Sequence, residues 1–360
     1  MKKSKLFRSI ICLGLSVLLV KIIGNRTGFS DHVFPRLQNQ IGGLLYRMSG
    51  NVSFSLGDVF YLVLFMSVLA FVGFSVVFLF QKKYQQFQNA LASGIGVLTG
   101  IYLVFHVFWG FNYYKTPIQA HYDVELTSLD ELKLLAEIYF LKSMAYRSQV
   151  NEDAQGVFQT SLTNDTFNVL LQQAALSIDQ KYVEIPFYAN VPVNLKKSLF
   201  SEGFSYLGIG GYYNPFTNEG QFMATQPDSK LLFTKMHETA HQWGFASESE
   251  ANFIGFLLGN ESDNVDLLYV SNFKAMRSLL NRILYFDPEF VKNYVENRYS
   301  EGMKRDRLHE IAVMEKYSGQ SEDAFALMNE TFLKMNNQEG LASYGRLVEL
   351  LVGFNRKYVN

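Results

Sequence analysis

Hydrophobic positions are spread unevenly along the chain, and three long apolar runs lie in its first third. They cover residues 6–24, 56–80 and 90–111. Each run supplies the roughly 20 residues that a helix needs to cross about 30 Å of hydrocarbon. A buried helix of a soluble domain would carry a polar stripe, and these runs carry almost none. We therefore predict three transmembrane helices, with a lipid bilayer as a partner of the protein.

Basic residues near these runs predict the orientation of the chain in a cell membrane. Four lie between residues 2 and 8, before the first run, and Lys82 and Lys83 separate the second run from the third. The positive-inside rule places both groups in the cytoplasm. Three arginines between the first two runs weaken this bias without reversing it. We expect a multi-pass protein with a cytoplasmic N-terminus and an extracytoplasmic C-terminal domain.

The first run is also compatible with a cleaved signal peptide. No small-residue cleavage site follows it, and Lys21, Ile22 and Ile23 prolong it, so an uncleaved anchor is favoured. The predicted membrane domain then covers residues 1–112, and the second domain covers residues 113–360.

The pattern in the second domain predicts helices on both sides of a short β region. A capping box, Ser128 to Glu131, opens one helix, and another begins near residue 164. Residues 182–225 are rich in aromatic and β-branched residues, glycine and proline, and they predict strands with a hairpin around 215–220. Helical spacing returns over 230–243, 248–258, 263–284, 287–298, 322–336 and 342–354. The predicted fold class is α+β, a mostly helical domain with a small sheet.

Composition narrows the classes of function. The formal net charge is -1 over 360 residues and there is no charged low-complexity tail, so no nucleic-acid partner is expected. The single cysteine, Cys12, lies in the first apolar run. The second domain therefore has neither a disulfide framework nor a thiolate ligand. Any metal in it must be held by His, Asp or Glu.

One stretch of the second domain has the order of residues that a hydrolytic metal site needs. His237-Glu238-Thr239-Ala240-His241 places two imidazoles four residues apart, on one face of a helix. Two imidazoles and a carboxylate form an open zinc site with a position for water, whose pKa zinc lowers to about 7. Glu238 is placed to take the proton from that water. An ordinary helix face with two incidental histidines is the alternative interpretation.

The third ligand is expected from the next helix. Gly244 ends the first helix in a left-handed turn, and Ser247 begins the second. Ser247 and Glu250 match a capping box, which leaves Glu248 free to reach the metal. Glu250 is the alternative ligand. Asn252, one turn after Glu248, is predicted to hydrogen-bond a ligand and support it.

These motifs resemble two known families. HExxH followed by a glutamate on the next helix resembles the gluzincin group of zinc metallopeptidases, and "ESEAN" is similar to their Glu-x-x-x-Asp element, with Glu248 at the glutamate and Asn252 at the aspartate. The order of three membrane spans, "YYNPFTNEG", "HETAHQWGFASESEAN" and "SYGRLVELL" resembles a bacterial membrane-protein family known as a domain of unknown function. The resemblance implies a zincin-like outer domain with one zinc ion, anchored in the membrane.

Further residues are candidates for the substrate cleft and for catalysis. Tyr212, Tyr213 and Glu219 precede the ligand helix and are expected to line the cleft, because a peptide can add to a sheet edge beside the metal. Core packing is the alternative for them. Tyr344 and Arg346 are candidates to stabilise the oxyanion of a tetrahedral intermediate. A structural tyrosine and a surface arginine are the alternative there.

Together these patterns predict a membrane-anchored zinc metallopeptidase that hydrolyses a peptide or protein substrate outside the cytoplasm. The alternative is a membrane sensor or envelope scaffold that keeps a zinc site without catalysis. Zinc-dependent hydrolysis of a non-protein amide, such as one in the cell wall, is a third possibility. Glu238 favours catalysis, because a structural zinc site needs no base and normally closes its fourth position.

Overall fold

The N-terminal part of the chain consists of four helices. The computed structural model describes residues 5–124, 127–185, 191–319, 326 and 346–359. The four helices are α1 Lys5–Gly24, α2 Phe34–Ser49, α3 Leu56–Phe80 and α4 Tyr84–Phe108. A π-helical turn, Gly28–Val33, precedes α2, and two 3-10 turns, Gly110–Tyr114 and Ile118–His121, follow α4.

Three of these helices, α1, α3 and α4, are long and apolar enough to cross a membrane. Each contains a long apolar stretch with few charged residues, and most of their side chains are exposed rather than packed inside the protein. Exposed apolar surface of this extent indicates membrane association. The three predicted apolar helices are therefore present. α4 begins earlier than predicted, because the polar stretch after Lys83 continues the helix, and it ends at Phe108 where the 3-10 turn begins.

α2 lies between the first two of these helices and does not appear among the predicted elements. Pro35 stands in its first turn, where the missing N–H costs no helical hydrogen bond. One face of α2 is buried against later parts of the chain, where Ser49 Oγ donates to the carbonyl of Thr217 at 2.8 Å. The segment between the first two apolar helices is thus part of the folded domain rather than a simple connection.

The remainder of the described chain is mostly helical with a small sheet, as predicted. Its helices are α5 Leu129–Arg147, α6 Asn164–Lys181, α7 Ser201–Ser205, α8 Asp228–Gln242, α9 Glu248–Asn260, α10 Val265–Ile283, α11 Pro288–Asn293, α12 Glu301–Tyr317 and α13 Leu347–Tyr358. A π-helical turn, Tyr294–Arg298, continues α11. The predicted helix over 322–336 falls almost entirely outside the described residues, as does the first part of the one predicted over 342–354.

The sheet has three short strands, β1 Leu195–Lys197, β2 Gly211–Asn214 and β3 Glu219–Phe222. β3 is central, with β1 parallel on one side and β2 antiparallel on the other. β2 and β3 form the predicted hairpin, in which Asn218 takes the left-handed conformation with φ of 55°. β2 is an edge strand, and its residues Gly211, Tyr212 and Tyr213 are only partly buried.

α9 is the helix around which the core is organised. Its residues from Ala251 to Gly259 are all buried, and α8, α10, α6 and α13 pack around it. A helix that is apolar on every side needs neighbours on every side. The first residue of α9, Glu248, is therefore held by a helix that is packed against several neighbours.

Candidate metal centre

α8 carries both histidines of the HExxH stretch on one face. Their Nε2 atoms lie 3.1 Å apart, and their ring planes are at 90°. The helix ends at Gln242, and Gly244 follows with φ of 91°, a conformation that glycine adopts without strain. The predicted left-handed stop after the second histidine is thus present, and it turns the chain back towards α9.

The reversal brings Glu248 to the two imidazoles. Its Oε2 lies 3.2 Å from Nε2 of His237, and its Oε1 lies 3.7 Å from Nε2 of His241. These three residues form a group of ligand atoms within 4.8 Å of one another. Among the described residues this group contains no fourth His, Cys, Asp or Glu.

Glu250, the alternative ligand, is used elsewhere. Its Oε1 accepts a hydrogen bond from the backbone N–H of Ile118 at 2.7 Å. The predicted capping box with Ser247 does not form, since the Ser247 hydroxyl is instead 2.7 Å from the hydroxyl of Ser249. Of the two acids, the structure therefore places Glu248 at the histidines, although the capping argument for preferring it was wrong.

The spacing of the ligand groups fits a small divalent cation. Zn–N and Zn–O bonds of about 2.0–2.1 Å at tetrahedral angles put neighbouring ligand atoms roughly 3.3 Å apart. The two imidazole nitrogens are 3.1 Å apart, and they lie 3.2 and 3.7 Å from the two oxygens of Glu248, which brackets that value. Two imidazole nitrogens and a carboxylate that converge on one point are the groups that ligate such a cation. The cluster can therefore bind a metal ion.

The ring orientation of His241 also suits a ligand. Its Nδ1 lies 2.7 Å from the carbonyl oxygen of Phe245, which is an acceptor only. In the neutral ring Nδ1 therefore carries the proton, and Nε2 then presents its lone pair to the cluster, as a metal ligand must. The same residue is held from its main chain, because Nε1 of Trp109 donates to the His241 carbonyl at 3.0 Å.

Burial and mutual charge shift the pKa values of the cluster in different directions. Burial lowers the pKa of His237. Burial acts in the same sense on His241, but its hydrogen bond with Glu248 and the negative charge of that carboxylate raise its pKa to about 9. Burial would raise the pKa of Glu248, but its hydrogen bonds with the two imidazoles hold it well below the usual range. Glu248 is therefore ionised and stabilises positive charge at this point.

Glu238 lies beside the cluster and is incompletely satisfied. It is buried, and its Oε2 has no hydrogen-bond partner among the described residues. Burial raises its pKa to about 8, opposed by the charge of His241 and reinforced by that of Glu248. A buried carboxyl oxygen without a partner is costly in a purely structural position. Its placement is that of a group that interacts with a ligand.

Strand β2 passes directly next to Glu238. A Cβ atom built on Gly211 would lie 2.5 Å from Oε1 of Glu238, and one built on Gly220 would lie 3.1 Å from its Cβ. Only glycine permits this approach of the sheet to the carboxylate. The edge strand therefore runs alongside the candidate site, as a peptide-binding edge would.

Asn252 was predicted to support a ligand atom, but it makes a different contact. Its Nδ2 donates to the backbone carbonyl of Glu248 at 2.8 Å, a bond one turn back along α9. It stabilises the first turn of the helix that carries Glu248, and no hydrogen bond to the Glu248 carboxylate is formed. The expected role is corrected from the ligand side chain to its backbone.

The predicted cleft residues separate into two groups. The hydroxyl of Tyr213 donates to Oδ1 of Asn218 at 2.9 Å, and its ring faces Trp109 at 5.6 Å, on the side of the sheet where His241 lies. Tyr212 points to the other side of the strand, where its hydroxyl donates to Asp58. Tyr213 is thus the tyrosine on the side of the metal cluster.

Glu219 does not fit the predicted cleft position. Its side chain is fully buried and accepts hydrogen bonds from the backbone N–H groups of Leu56 and Gly57 at 3.2 and 2.6 Å. It therefore caps the N-terminus of α3, where the helix dipole favours a negative charge. Tyr344 lies outside the described residues, and Arg346 is partly buried at the start of α13.

The segment that follows α4 reaches the site and was missed by sequence reasoning. Trp109 contacts His241, and the ring of Tyr113 lies 5.2 Å from that of Trp109. Burial and the nearby charge of Glu248 raise the pKa of Tyr113. Both aromatic residues match a membrane-interface belt equally well, so no spacing in the sequence connects them to the HExxH stretch.

A family described as "Protein of unknown function (DUF3810)" matches residues 30–352, and the chain belongs to this family. No curated protein and no solved structure matches the chain. The matched range includes α2, two of the three apolar helices, the sheet and the His237–His241–Glu248 cluster. The family description names no activity.

Proposed function

For this member of a family of unknown function, we propose a membrane-anchored, zinc-dependent metallopeptidase. His237, His241 and Glu248 hold one zinc ion, and Glu238 is the general base. The observation that carries the proposal is a combination of two features. Two imidazole nitrogens 3.1 Å apart have the two oxygens of Glu248 at 3.2 and 3.7 Å, and beside them lies an unpartnered buried carboxylate oxygen on Glu238. A structural metal site would need the first feature but not the second.

The ligand types favour zinc over other divalent ions. Two imidazoles and one carboxylate, with no thiolate and no cluster of oxygens, suit zinc better than magnesium or calcium. Zinc held by three protein ligands supplies a Lewis acid that polarises a carbonyl group and acidifies water. The order of ligands, with the third on the helix after HExxH, is that of a gluzincin-like zincin domain.

The residues of this chain have distinct tasks in such a reaction. Glu238 accepts a proton from water at its unpartnered Oε2 and later donates it to the leaving amine. A positive ion at the cluster favours the carboxylate form of Glu238, as this step requires. The substrate chain lies along β2, because Gly211 leaves no side chain between the strand and Glu238.

The proposed arrangement places the zinc domain outside the cytoplasm. α1, α3 and α4 span the membrane, so that the chain beyond residue 112 lies on the side opposite the N-terminus. Lysines at 82 and 83, in the connection between α3 and α4, support a cytoplasmic position for that connection. An extracytoplasmic domain without cysteine is compatible with this assignment, since it needs no disulfide for its large helical core.

Metal analysis and a hydrolysis assay on the full chain test the proposal. We expect elemental analysis of the detergent-purified protein to give one zinc per chain. Casein or a quenched-fluorescence peptide library should be cleaved, and a chelator should abolish cleavage until zinc is restored. Absence of a bound metal after dialysis against zinc, or cleavage that persists unchanged in excess chelator, would contradict the proposal.

A zinc-dependent scaffold without catalysis is the second candidate, and the enclosure of the cluster favours it. The side chains of His237, His241 and Glu248 are only 13%, 9% and 16% exposed. Stoichiometric zinc together with no hydrolysis of any peptide or amide library would support the scaffold. Under that outcome the unpartnered oxygen of Glu238 would need a partner protein or ligand to satisfy it.

A further inference from the structure

Strand β2 and the β2–β3 turn lie against the first two turns of α3. The hydroxyl of Tyr212 donates to Oδ1 of Asp58 at 2.5 Å, and its ring lies 5.6 Å from that of Tyr61. Phe216, in the turn, stacks on Phe60 with 4.8 Å between ring centroids. At about 1.5 Å of rise per residue, these three α3 residues lie about 3–8 Å from the start of the helix. The strand beside Glu238, β2, is therefore fixed in its position along the axis of α3.

This position along α3 lies at the edge of the hydrocarbon layer of the membrane. α3 has 25 residues, and a helix of that size is about 37 Å long, compared with about 30 Å of hydrocarbon. The excess of about 7 Å, shared between two ends, leaves roughly 4 Å of helix outside the hydrocarbon at each end. The contacts of β2 with residues 58–61 thus lie on both sides of the boundary between lipid tails and headgroups.

The sheet is fixed to α3 through its central strand as well. Glu219 of β3 accepts the N–H groups of Leu56 and Gly57, the first two residues of that helix. The approach is close, because a Cβ atom on Gly57 would lie 2.3 Å from Nε2 of Gln221. The sheet therefore rests directly on the end of the apolar helix, with no intervening linker.

Helix α8, which carries both histidines of the cluster, is fixed to the C-terminal end of the apolar helix α4. Trp109 directly follows α4, and its indole N–H donates to the carbonyl of His241 at 3.0 Å. Lys115 Nζ donates to the carbonyl of Gly244 at 3.1 Å. The C-terminal end of α8, which carries the second histidine, therefore lies at the level where the chain leaves α4.

α2 provides an independent marker of the membrane plane. One of its faces carries exposed apolar residues, namely Val33 just before the helix and Leu37, Leu44 and Met48. Spacings of four and seven residues place these side chains in one stripe. Another face of α2 is buried against the part of the chain that leads into the sheet, where a Cβ atom on Gly42 would lie 3.3 Å from Val191.

Lipid is the occupant that fits the α2 stripe. Both ends of α2 connect through short segments, residues 25–33 and 50–55, to the apolar helices α1 and α3, so the helix lies beside the bilayer. Arg36 and Arg47 are exposed next to the stripe and suit anionic headgroups. An amphipathic helix with an apolar face and flanking arginines lies in the plane of the interface.

We propose that the site acts on membrane-anchored polypeptides, at the extended segment where each leaves the bilayer. This inference rests on the peptidase function proposed above and adds the class of substrate. A chain that emerges beside α3 and α4 reaches β2 within a few residues, at about 3.3 Å per extended residue. A free peptide or a distant loop of a folded protein lacks this attachment and reaches β2 only from solution, at a lower effective concentration.

The outer edge of β2 supplies the backbone groups that such a segment needs. Gly210 accepts a hydrogen bond from the N–H of Met223, and in an antiparallel pair the residues that face the partner alternate with those that face away. The N–H and C=O groups of Gly211 and Tyr213 are therefore directed to the free edge. These backbone groups do not discriminate between the side chains of a substrate. The distance of a peptide bond from the bilayer therefore decides where the substrate is cut.

A displacement experiment on the full chain tests this inference. The protein is reconstituted in phosphatidylethanolamine/phosphatidylglycerol vesicles with a single-span substrate carrying an unstructured tail, and the cut is located by mass spectrometry. We expect cleavage within roughly five residues of the bilayer. Insertion of a Gly-Ser spacer of about ten residues between span and tail should leave the cut at the same distance from the bilayer, now within the spacer. The anchored tail should be cut about 100-fold faster than the same peptide without an anchor.

The outcomes separate the inference from the function on which it rests. A cut that moves outward with the original tail sequence, together with equal cleavage of the free peptide, would overturn the inference and leave a peptidase. No cleavage of anchored or free peptide by zinc-loaded protein would overturn the peptidase and this inference with it. The Glu238→Gln variant in the same vesicles is the matched control for contaminating proteases.

Spin labels measure the membrane plane without any activity. In a Cys12→Ser background, labels at Leu44→Cys and Gly43→Cys are compared for access to oxygen and to a water-soluble nickel chelate. We expect the label at 44 to favour oxygen several-fold more than the label at 43, which lies about 100° further round the helix, outside the apolar stripe, where a Cβ atom meets nothing within 4 Å. Equal access of both labels to the nickel chelate would show that α2 does not face lipid, and it would contradict the position of the membrane plane.

Discussion

The Arg147–Asp306 pair and the His237–His241–Glu248 cluster are both buried and charged, but their polar atoms are satisfied differently. The two side chains of the pair are 4% and 0% exposed. Both oxygens of Asp306 are fully used, since Nε and Nη2 of Arg147, the N–H of Phe158 and the hydroxyl of Tyr269 all donate to them. The pair is therefore complete within the protein, and it connects α5, α10 and α12.

The cluster in α8 and α9 is not complete in the same sense. Two imidazole nitrogens face each other across 3.1 Å, and both Nδ1 of His237 and Oε2 of Glu238 lack a partner among the described residues. Buried polar groups in stable proteins are nearly always paired. The difference indicates that Arg147 and Asp306 serve the fold, whereas the α8–α9 cluster is arranged for something that binds to it.

The largest expected effect is on turnover when the base is removed. Glu238→Gln keeps the shape of the side chain but cannot accept a proton, so we expect the hydrolysis rate to fall by about 10²–10⁴-fold. Zinc content, measured by elemental analysis, should stay at one per chain. Glu289→Gln, an exposed acid on α11, is the control and should keep full activity. A Glu238→Gln protein with wild-type rates would remove Glu238 from the mechanism.

The second-largest expected effect is a loss of stability when the Arg147–Asp306 pair is broken. Asp306→Ala leaves the Arg147 guanidinium buried without its main partner, and we expect a loss of about 3–5 kcal/mol in the free energy of unfolding. Zinc affinity of the folded protein should be unchanged. Glu301→Gln breaks an exposed pair with Lys304 and should cost less than about 1 kcal/mol. Equal losses for the two variants in thermal or denaturant unfolding would contradict the contrast between the clusters.

Zinc should stabilise the protein only by binding to the His237–His241–Glu248 cluster. A ligand that binds the native state alone at 100 times its dissociation constant adds about 2.7 kcal/mol to the free energy of unfolding. We expect this gain for the wild-type protein and for any Asp306 variant that folds. His237→Ala should abolish the gain, whereas His309→Ala, an exposed histidine on α12, should retain it. Zinc stabilisation that survives His237→Ala would place the metal elsewhere.

The smallest expected effect concerns the support of His241 by the chain after α4. Trp109→Phe removes the indole N–H that donates to the His241 carbonyl, a contribution of about 1 kcal/mol. We expect zinc affinity to fall about five-fold in a competition titration. Trp243→Phe removes a comparable bond, to the carbonyl of Val191, and should change stability more than zinc affinity. The reverse order of the two variants in zinc affinity would assign the support to the wrong tryptophan.

The sequence predicted the features that depend on neighbouring residues in the chain, namely the apolar helices, the facing histidines and the turn after α8. The three apolar helices follow from length and hydropathy, and the facing of His237 and His241 follows from the 3.6-residue repeat of a helix. The left-handed stop at Gly244 follows from the freedom of glycine. Each of these depends on residues of one continuous stretch of chain.

Long-range contacts decided the positions that the sequence did not predict. Glu250 binds the N–H of Ile118 instead of capping its own helix, and Glu219 caps a helix that begins more than 160 residues earlier. In both cases a distant backbone N–H competes with a local partner, and no periodicity records the outcome. α2 is a different case, because the spacing of Leu37, Leu44 and Met48 is a usable signal for an amphipathic helix.

The cap that Glu219 provides for α3 ties the geometry of the strand to the thickness of the membrane. A helix whose apolar length exceeds the local hydrocarbon tilts, and one that is too short draws the lipid inwards. Since the first two N–H groups of α3 are bound to β3, such a tilt either carries the sheet with it or breaks the cap. Under the proposed function, the acyl-chain length of the surrounding lipids would change the distance between β2 and the His237–His241–Glu248 cluster, and with it the rate of hydrolysis.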